Sequence, residues 1–168
     1  MIEDFYPVAP MQQGLLLPSL YEQQSGIYIE QIICSLHEDL NVSALRQSWE
    51  RVLERHSILR TSFHYQPSNQ LMQSASANVQ LPWKESDLRD LSKSEQQEQV
   101  NAYLQSDRES GFDMREAPLM RIVLFQLADA DYKLIWTFHH TLLDGRSFSL
   151  VLKEVFTVYE AICQNQDY

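Results

Sequence analysis

Apolar positions along the 168-residue chain either recur at three-to-four spacing or gather in near-continuous runs, and these two patterns mark its elements. After Asn41, the residues Val42, Leu45, Trp49, Val52 and Leu53 recur every three to four positions. Asn accepts readily from the first free N–H groups of a helix, so a helix capped by Asn41 is expected from Val42 to His56. A second broad apolar face, carrying Phe148, Val151, Leu152, Val155 and Tyr159, predicts a closing helix from about Ser147 to Cys163. Leu119 to Leu127 and Tyr132 to His140 are near-continuous apolar runs. The break between them, Ala128-Asp129-Ala130-Asp131, makes them a hairpin of buried strands.

Weaker signals fill the rest. Ile27 to Leu36, β-branched and preceded by Ser25-Gly26, and Ile58 to Tyr65 read as strands. Pro7 and Pro10 bracket a turn, after which Met11 to Leu17 reads as a short helix ending near Pro18. Gln66 to Gln80 is polar and reads as a hairpin or loop, followed by a short strand from Leu81 to Lys84. Ser92 and Glu95 have capping-box spacing and open a polar helix that ends at Gly111, expected to present a solvated face. The order predicts one α/β unit, a two-layer sandwich in which helices pack on a mixed sheet.

Composition narrows the class. At 44% hydrophobic and 21% charged residues the chain is a globular sequence, which excludes intrinsic disorder. Lys and Arg number 13 against 23 Asp and Glu, a net charge of −10, so neither nucleic acid nor an anionic membrane is expected as the main partner. No apolar run is long enough to span a bilayer, and Met1-Ile2-Glu3-Asp4 does not open a signal peptide; a cytoplasmic location is expected. Cys34 and Cys163 are too far apart for a CxxC metal motif and read as reduced thiols.

The candidate chemistry lies in Phe138-His139-His140-Thr141-Leu142-Leu143-Asp144-Gly145-Arg146-Ser147, between a buried strand and a long helix. Successive strand side chains point to opposite faces, so His140 shares one with Trp136 and Phe138, and His139 shares the other with Ile135 and Thr137. The two imidazoles cannot enter one cavity. One is expected inward and hydrogen-bonded to backbone, the other free at the strand's end. This divergence argues against a metal centre, because Asp144 with one imidazole makes a poor ligand set. A serine nucleophile is disfavoured, since GxSxG is absent and Ser147 is better placed as a helix cap. Two readings stay open: both histidines are structural, or one is a general base while Asp144 holds the loop. Gly145 suits a turn that other residues resist and a close approach of ligand to backbone, although a plain turn glycine would look the same.

His139 to Gly145 resembles the HHxxxDG signature of the condensation domains of non-ribosomal peptide synthetases and their acyltransferase relatives. Arg55-His56-Ser57-Ile58-Leu59-Arg60-Thr61 is similar to that family's RHxxLRT segment. Gly111-Phe112-Asp113 with Pro118-Leu119-Met120-Arg121 is similar to its GFDxxxxPLxR segment. Tyr6-Pro7-Val8-Ala9-Pro10-Met11-Gln12-Gln13-Gly14 resembles its opening motif, in a PMQxG form like that of domains accepting a donor that ends in a D-residue. The matches run in family order over essentially the whole chain.

The resemblance implies a chloramphenicol-acetyltransferase-like fold, with residues 1–168 as the N-terminal subdomain of a two-lobed domain whose C-terminal subdomain is absent. It implies amide formation between two thioesters on the phosphopantetheine arms of carrier proteins, with no other cofactor bound, and an isolated half that is inactive. Residue by residue, it implies His140 as the base or hydrogen-bond acceptor for the attacking amine and His139 as a structural member of the motif. Asp144 would pair with Arg55, or else Arg60, and Gly145 would line the donor channel. The face toward the missing lobe is expected to be apolar and prone to self-association. Two alternatives are a trimeric acyltransferase using coenzyme A thioesters, with its site between protomers, and a carrier-docking module with an idle motif.

Overall fold

The two apolar runs pair as β6 (Met120–Ala128) and β7 (Asp131–His139), antiparallel, with Ile122 opposite Trp136. The computed structural model describes residues 2–21, 26–68 and 70–166. Before this hairpin come β1 (Ile2–Pro7), α1 (Pro10–Tyr21), β2 (Ile29–Leu36), α2 (Val42–Arg55), a 3₁₀ turn (Ser57–Arg60), β3 (Thr61–Tyr65), β4 (Leu71–Ser76), β5 (Trp83–Asp87) and α3 (Lys93–Ser110); α4 (Ser147–Cys163) follows it. β2 adds antiparallel to β7 and β5 adds parallel to β6, giving a mixed sheet of order β2-β7-β6-β5. A smaller antiparallel sheet has the order β1-β4-β3. The α/β class and the mixed sheet are those expected.

Strand alternation divides the core in two. Leu134, Trp136 and Phe138 of β7 join Leu45, Trp49 and Val52 of α2 and Val155 of α4, with the Trp49 and Trp136 rings meeting edge-on at 5.0 Å. This is the expected helix layer. From the other face Val123, Phe125 and Ile135 pack with Val100, Tyr103 and Leu104 of α3. β7 is therefore covered on both sides.

Several boundaries differ from expectation. Residues 57–60 wind as a 3₁₀ turn, so β3 begins at Thr61 rather than Ile58. The polar stretch after Gln66 supplies β4, which hydrogen-bonds between β1 and β3 and buries Gln73 and Ser74. β5 lies at Trp83–Asp87, displaced from Leu81–Lys84 by its register against β6. α1 runs through Pro18, whose missing N–H costs one backbone bond without ending the helix. Ser25, expected before the second strand, lies outside the described residues.

α3 shows how a polar helix becomes structural. The Ser92–Glu95 capping box forms, and Gly111 closes the helix at φ 58°, a conformation that favours glycine. Most of α3 is exposed, as expected of a solvated face, but Asp107 is buried. Its carboxylate accepts from Thr137 Oγ1 at 2.6 Å, Gln31 Nε2 at 2.7 Å, Tyr103 OH at 3.0 Å and Arg121 Nε. Burial pushes the Asp107 carboxyl up, and the bonds from Thr137, Arg121 and Gln31 more than offset it, leaving it below its ordinary range. Arg121 also donates to the Gly111 carbonyl at 2.7 Å and lies 4.2 Å over the Phe112 ring. The GFDxxxxPLxR segment thus clamps the end of α3 to β6 and β7.

Removing Arg121 would strand the buried carboxylate. Arg121→Ala is expected to lower unfolding free energy by roughly 3–5 kcal/mol, read from urea midpoints. A loss under about 1 kcal/mol, the range of an exposed pair, would show that the clamp is solvated.

Candidate active site

The site grows from the end of β7. His139 is 1% exposed and lies on the α3 face of the sheet with Thr137. The backbone N–H of Thr141 donates to His139 Nδ1 at 3.2 Å, and Thr141 Oγ1 lies 2.8 Å from the same nitrogen. A backbone N–H can only donate, so Nδ1 carries the lone pair and the neutral ring holds its proton on Nε2. Burial, with the neighbouring His140 as a second cause, pushes the His139 pKa down to about 4.

His140 extends the ladder one step beyond the strand, donating its N–H to the Tyr28 carbonyl at 2.8 Å. Its side chain is 38% exposed, and Nδ1 lies 3.6 Å from Oε1 of Glu30. The expected divergence of the two imidazoles, one inward on a backbone bond and one at the sheet margin, is what the structure has. The opening motif reaches this loop directly: Gln12 Nε2 donates to the Thr141 carbonyl at 3.3 Å, while Gln12 Oε1 accepts from the Ala9 N–H at 3.2 Å.

The arginine partner expected for Asp144 is replaced by the start of α4. Asp144 is exposed, and its Oδ1 accepts from the N–H groups of Ser147 at 2.8 Å and Arg146 at 3.1 Å. Hydrogen bonds from Ser147, then from Arg146, hold its carboxyl below the ordinary range. Asp144 therefore does the capping that was expected of Ser147, which is the first helical residue. Arg55 goes instead to Glu154 of α4, at 3.1 Å, and His56 Nε2 lies 2.6 Å from the same carboxylate. Arg60 is buried and donates to the Leu53 carbonyl at 3.1 Å and to the Ser76 carbonyl, tying α2 to β4. Both arginines are thus spent within the scaffold.

Gly145 needs no special backbone: its φ lies outside the left-handed region, and a Cβ there would meet nothing within 4 Å. Only the open space beside it, and not strain, fits a channel wall. A cleft of 730 Å³ between α2 and residues 77–81 is lined in part by Arg60 and contains neither histidine of the motif. Among the described residues no three His, Cys, Asp or Glu gather as a metal-binding group, and no helix is long and apolar enough to cross a membrane.

Gln12, Glu30 and Glu154 reach the site or its supports without having been picked out as candidates. Gln12 stands in a quoted motif, but its contact with Thr141 spans 129 positions of sequence. Glu30 faces His140 only through the β2–β7 register.

Comparison with known proteins follows the same lines. The family profile described as "Condensation domain" matches residues 2–168. A component of the linear gramicidin synthase of Brevibacillus parabrevis is 40% identical over 166 residues, 99% of this chain and 2% of that protein. Bacitracin synthase 1 of Bacillus licheniformis is 36% identical over 165 residues, 98% of this chain and 3% of that protein. The chain thus spans a small fraction of the relatives it matches. Among solved structures, the starter condensation domain of rhizomide synthetase RzmA superposes with a TM-score of 0.87 at 19% identity, covering 98% of this chain and 41% of that one.

The buried neutral His139 has a pH signature. Its folded pKa of about 4 lies below the unfolded value of 6.5, so the unfolded chain takes up the proton first and stability falls as pH drops through that window. The loss at this group is expected to reach roughly 3 kcal/mol, at about 1.4 kcal/mol per unit. Urea unfolding across pH 7 to 4 should show this loss in the wild type and lack it in His139→Asn. Parallel curves for the two proteins would contradict the burial.

Proposed function

The chain belongs to the condensation-domain family, and from that membership we propose that it is the N-terminal half of a condensation domain of a peptide synthetase. In this reading the amine of an aminoacyl thioester attacks the carbonyl of an upstream peptidyl or acyl thioester. A C–N bond forms, the C–S bond breaks, and the amine's proton passes through His140 to the departing thiolate. Both substrates ride on phosphopantetheine arms of carrier proteins in the cytoplasm. The observation that carries the reading is His140: half-exposed at a sheet margin, next to an imidazole that is buried and neutral.

A thioester is already activated, so little is asked of side chains. Holding the two groups together can contribute up to ~7–11 kcal/mol in favourable intramolecular cases. A positioned base typically adds roughly 10²–10⁴-fold. Gly145, with open space where a side chain would stand, lines the path of the donor arm, and Asp144 fixes the loop by capping α4. The structure that superposes is more than twice the length this chain covers, which supports a second lobe closing the tunnel. The PMQxG opening supports a donor ending in a D-residue.

The test uses carriers loaded with donor and acceptor and reads the amide product by mass spectrometry. This chain alone is expected to form none. In the two-lobed domain that contains it, His140→Ala is expected to lower the rate roughly 10²–10⁴-fold. Wild-type turnover by His140→Ala, or amide formation by the single lobe, would contradict the reading. So would a trimer that transfers acyl groups from coenzyme A.

A further inference from the structure

We propose that Glu30 is the positioning residue for His140: its carboxylate accepts a hydrogen bond from Nδ1–H and leaves the Nε2 lone pair for the attacking amine. The inference rests on the reading of His140 given above.

The β2–β7 register makes the pair. Glu30 lies opposite Phe138, and His140 bonds to Tyr28, so Glu30 and His140 are diagonal neighbours on one face of the sheet. Long side chains reach one another across such a diagonal. Oε1 and Nδ1 stand 3.6 Å apart, too far for a hydrogen bond, and both side chains are half-exposed with room to rotate. Among the described residues Glu30 is the carboxylate within 4.0 Å of this ring. Asp144, the other acidic residue of the motif, is committed to the N-terminus of α4. His139 lies on the opposite face.

The chemistry follows from the imidazole having two nitrogens. In its neutral form one donates and the other accepts, and the partner of the first decides which. An acceptor at Nδ1 keeps the proton there and directs the basic Nε2 away from the sheet. When the ring takes the amine's proton it becomes a cation, and a nearby carboxylate stabilises that state more than the neutral one. Contacts of this kind are often loose before substrate binds and close in the reacting complex.

Long-range ¹H–¹⁵N spectra of the ¹⁵N-histidine-labelled chain read the tautomer directly, with His140→Asn assigning the signals. His140 is expected mainly in the Nδ1–H form in the wild type and in Glu30→Gln, whose amide oxygen still accepts. In Glu30→Leu it is expected to shift toward Nε2–H. Unchanged His139 signals check the fold, and Glu30→Ala replaces the leucine variant if those signals move. In the two-lobed domain, Glu30→Leu is expected to lower kcat ~10-fold with KM little changed, below the roughly 10²–10⁴-fold of a general base, and Glu30→Gln to recover part of it. An identical tautomer in Glu30→Leu, or an undiminished kcat, overturns the proposal. Full activity of His140→Ala overturns the base assignment itself, whatever the tautomer does.

Discussion

A strand packed on both faces cannot place two consecutive side chains in one environment, and the rest of the site depends on that constraint at β7. Trp136 and Phe138 look toward α2 and α4, while Ile135 and Thr137 look toward α3. His139 inherits the second direction and is buried while still inside the strand, where a charged imidazole would be costly. His140 inherits the first direction but stands one residue beyond the last rung of β7, where the helix layer no longer covers it. One ring is thereby held neutral as structure. The other is presented to solvent.

The motif segments divide the labour accordingly. GFDxxxxPLxR locks the end of α3 onto the sheet through Arg121 and Asp107. RHxxLRT ties α2 to α4 through Glu154 and to β4 through Arg60. The opening motif brings Gln12 to the Thr141 carbonyl. Three segments therefore hold a frame around the fourth, which carries His140 at the sheet margin. Such an allocation suits a reaction whose substrates arrive activated and tethered, because the remaining task is orientation.

Much of this was legible in the chain. Near-continuous apolar runs located β6 and β7, and three-to-four spacing located α2 and α4, since those elements carry their own burial signal. The inward–outward split of the histidines needed only strand geometry. β4 was legible only as one arm of a hairpin that a loop reading rivalled, because Gln73 and Ser74 are buried by partners that local sequence does not reveal. Asp107 in a polar helix was hidden for the same reason: its burial is set by Gln31, Thr137 and Arg121, each from a strand of the four-stranded sheet. The pairing of Asp144 was misjudged because a carboxylate three residues before a helix N-terminus has ready backbone donors, and these are closer at hand than a distant arginine. Arg55 and Arg60 then find acceptors within the scaffold.

Diethyl pyrocarbonate labelling of the folded chain, resolved between the adjacent histidines by fragment-ion mass spectrometry, tests the central claim most directly. The reagent acylates accessible neutral imidazoles. The account predicts label on His140 and none on His139 until the chain is unfolded, following their 38% and 1% exposure. Label on His139 with His140 protected would contradict it, because the reacting ring would then be the buried one.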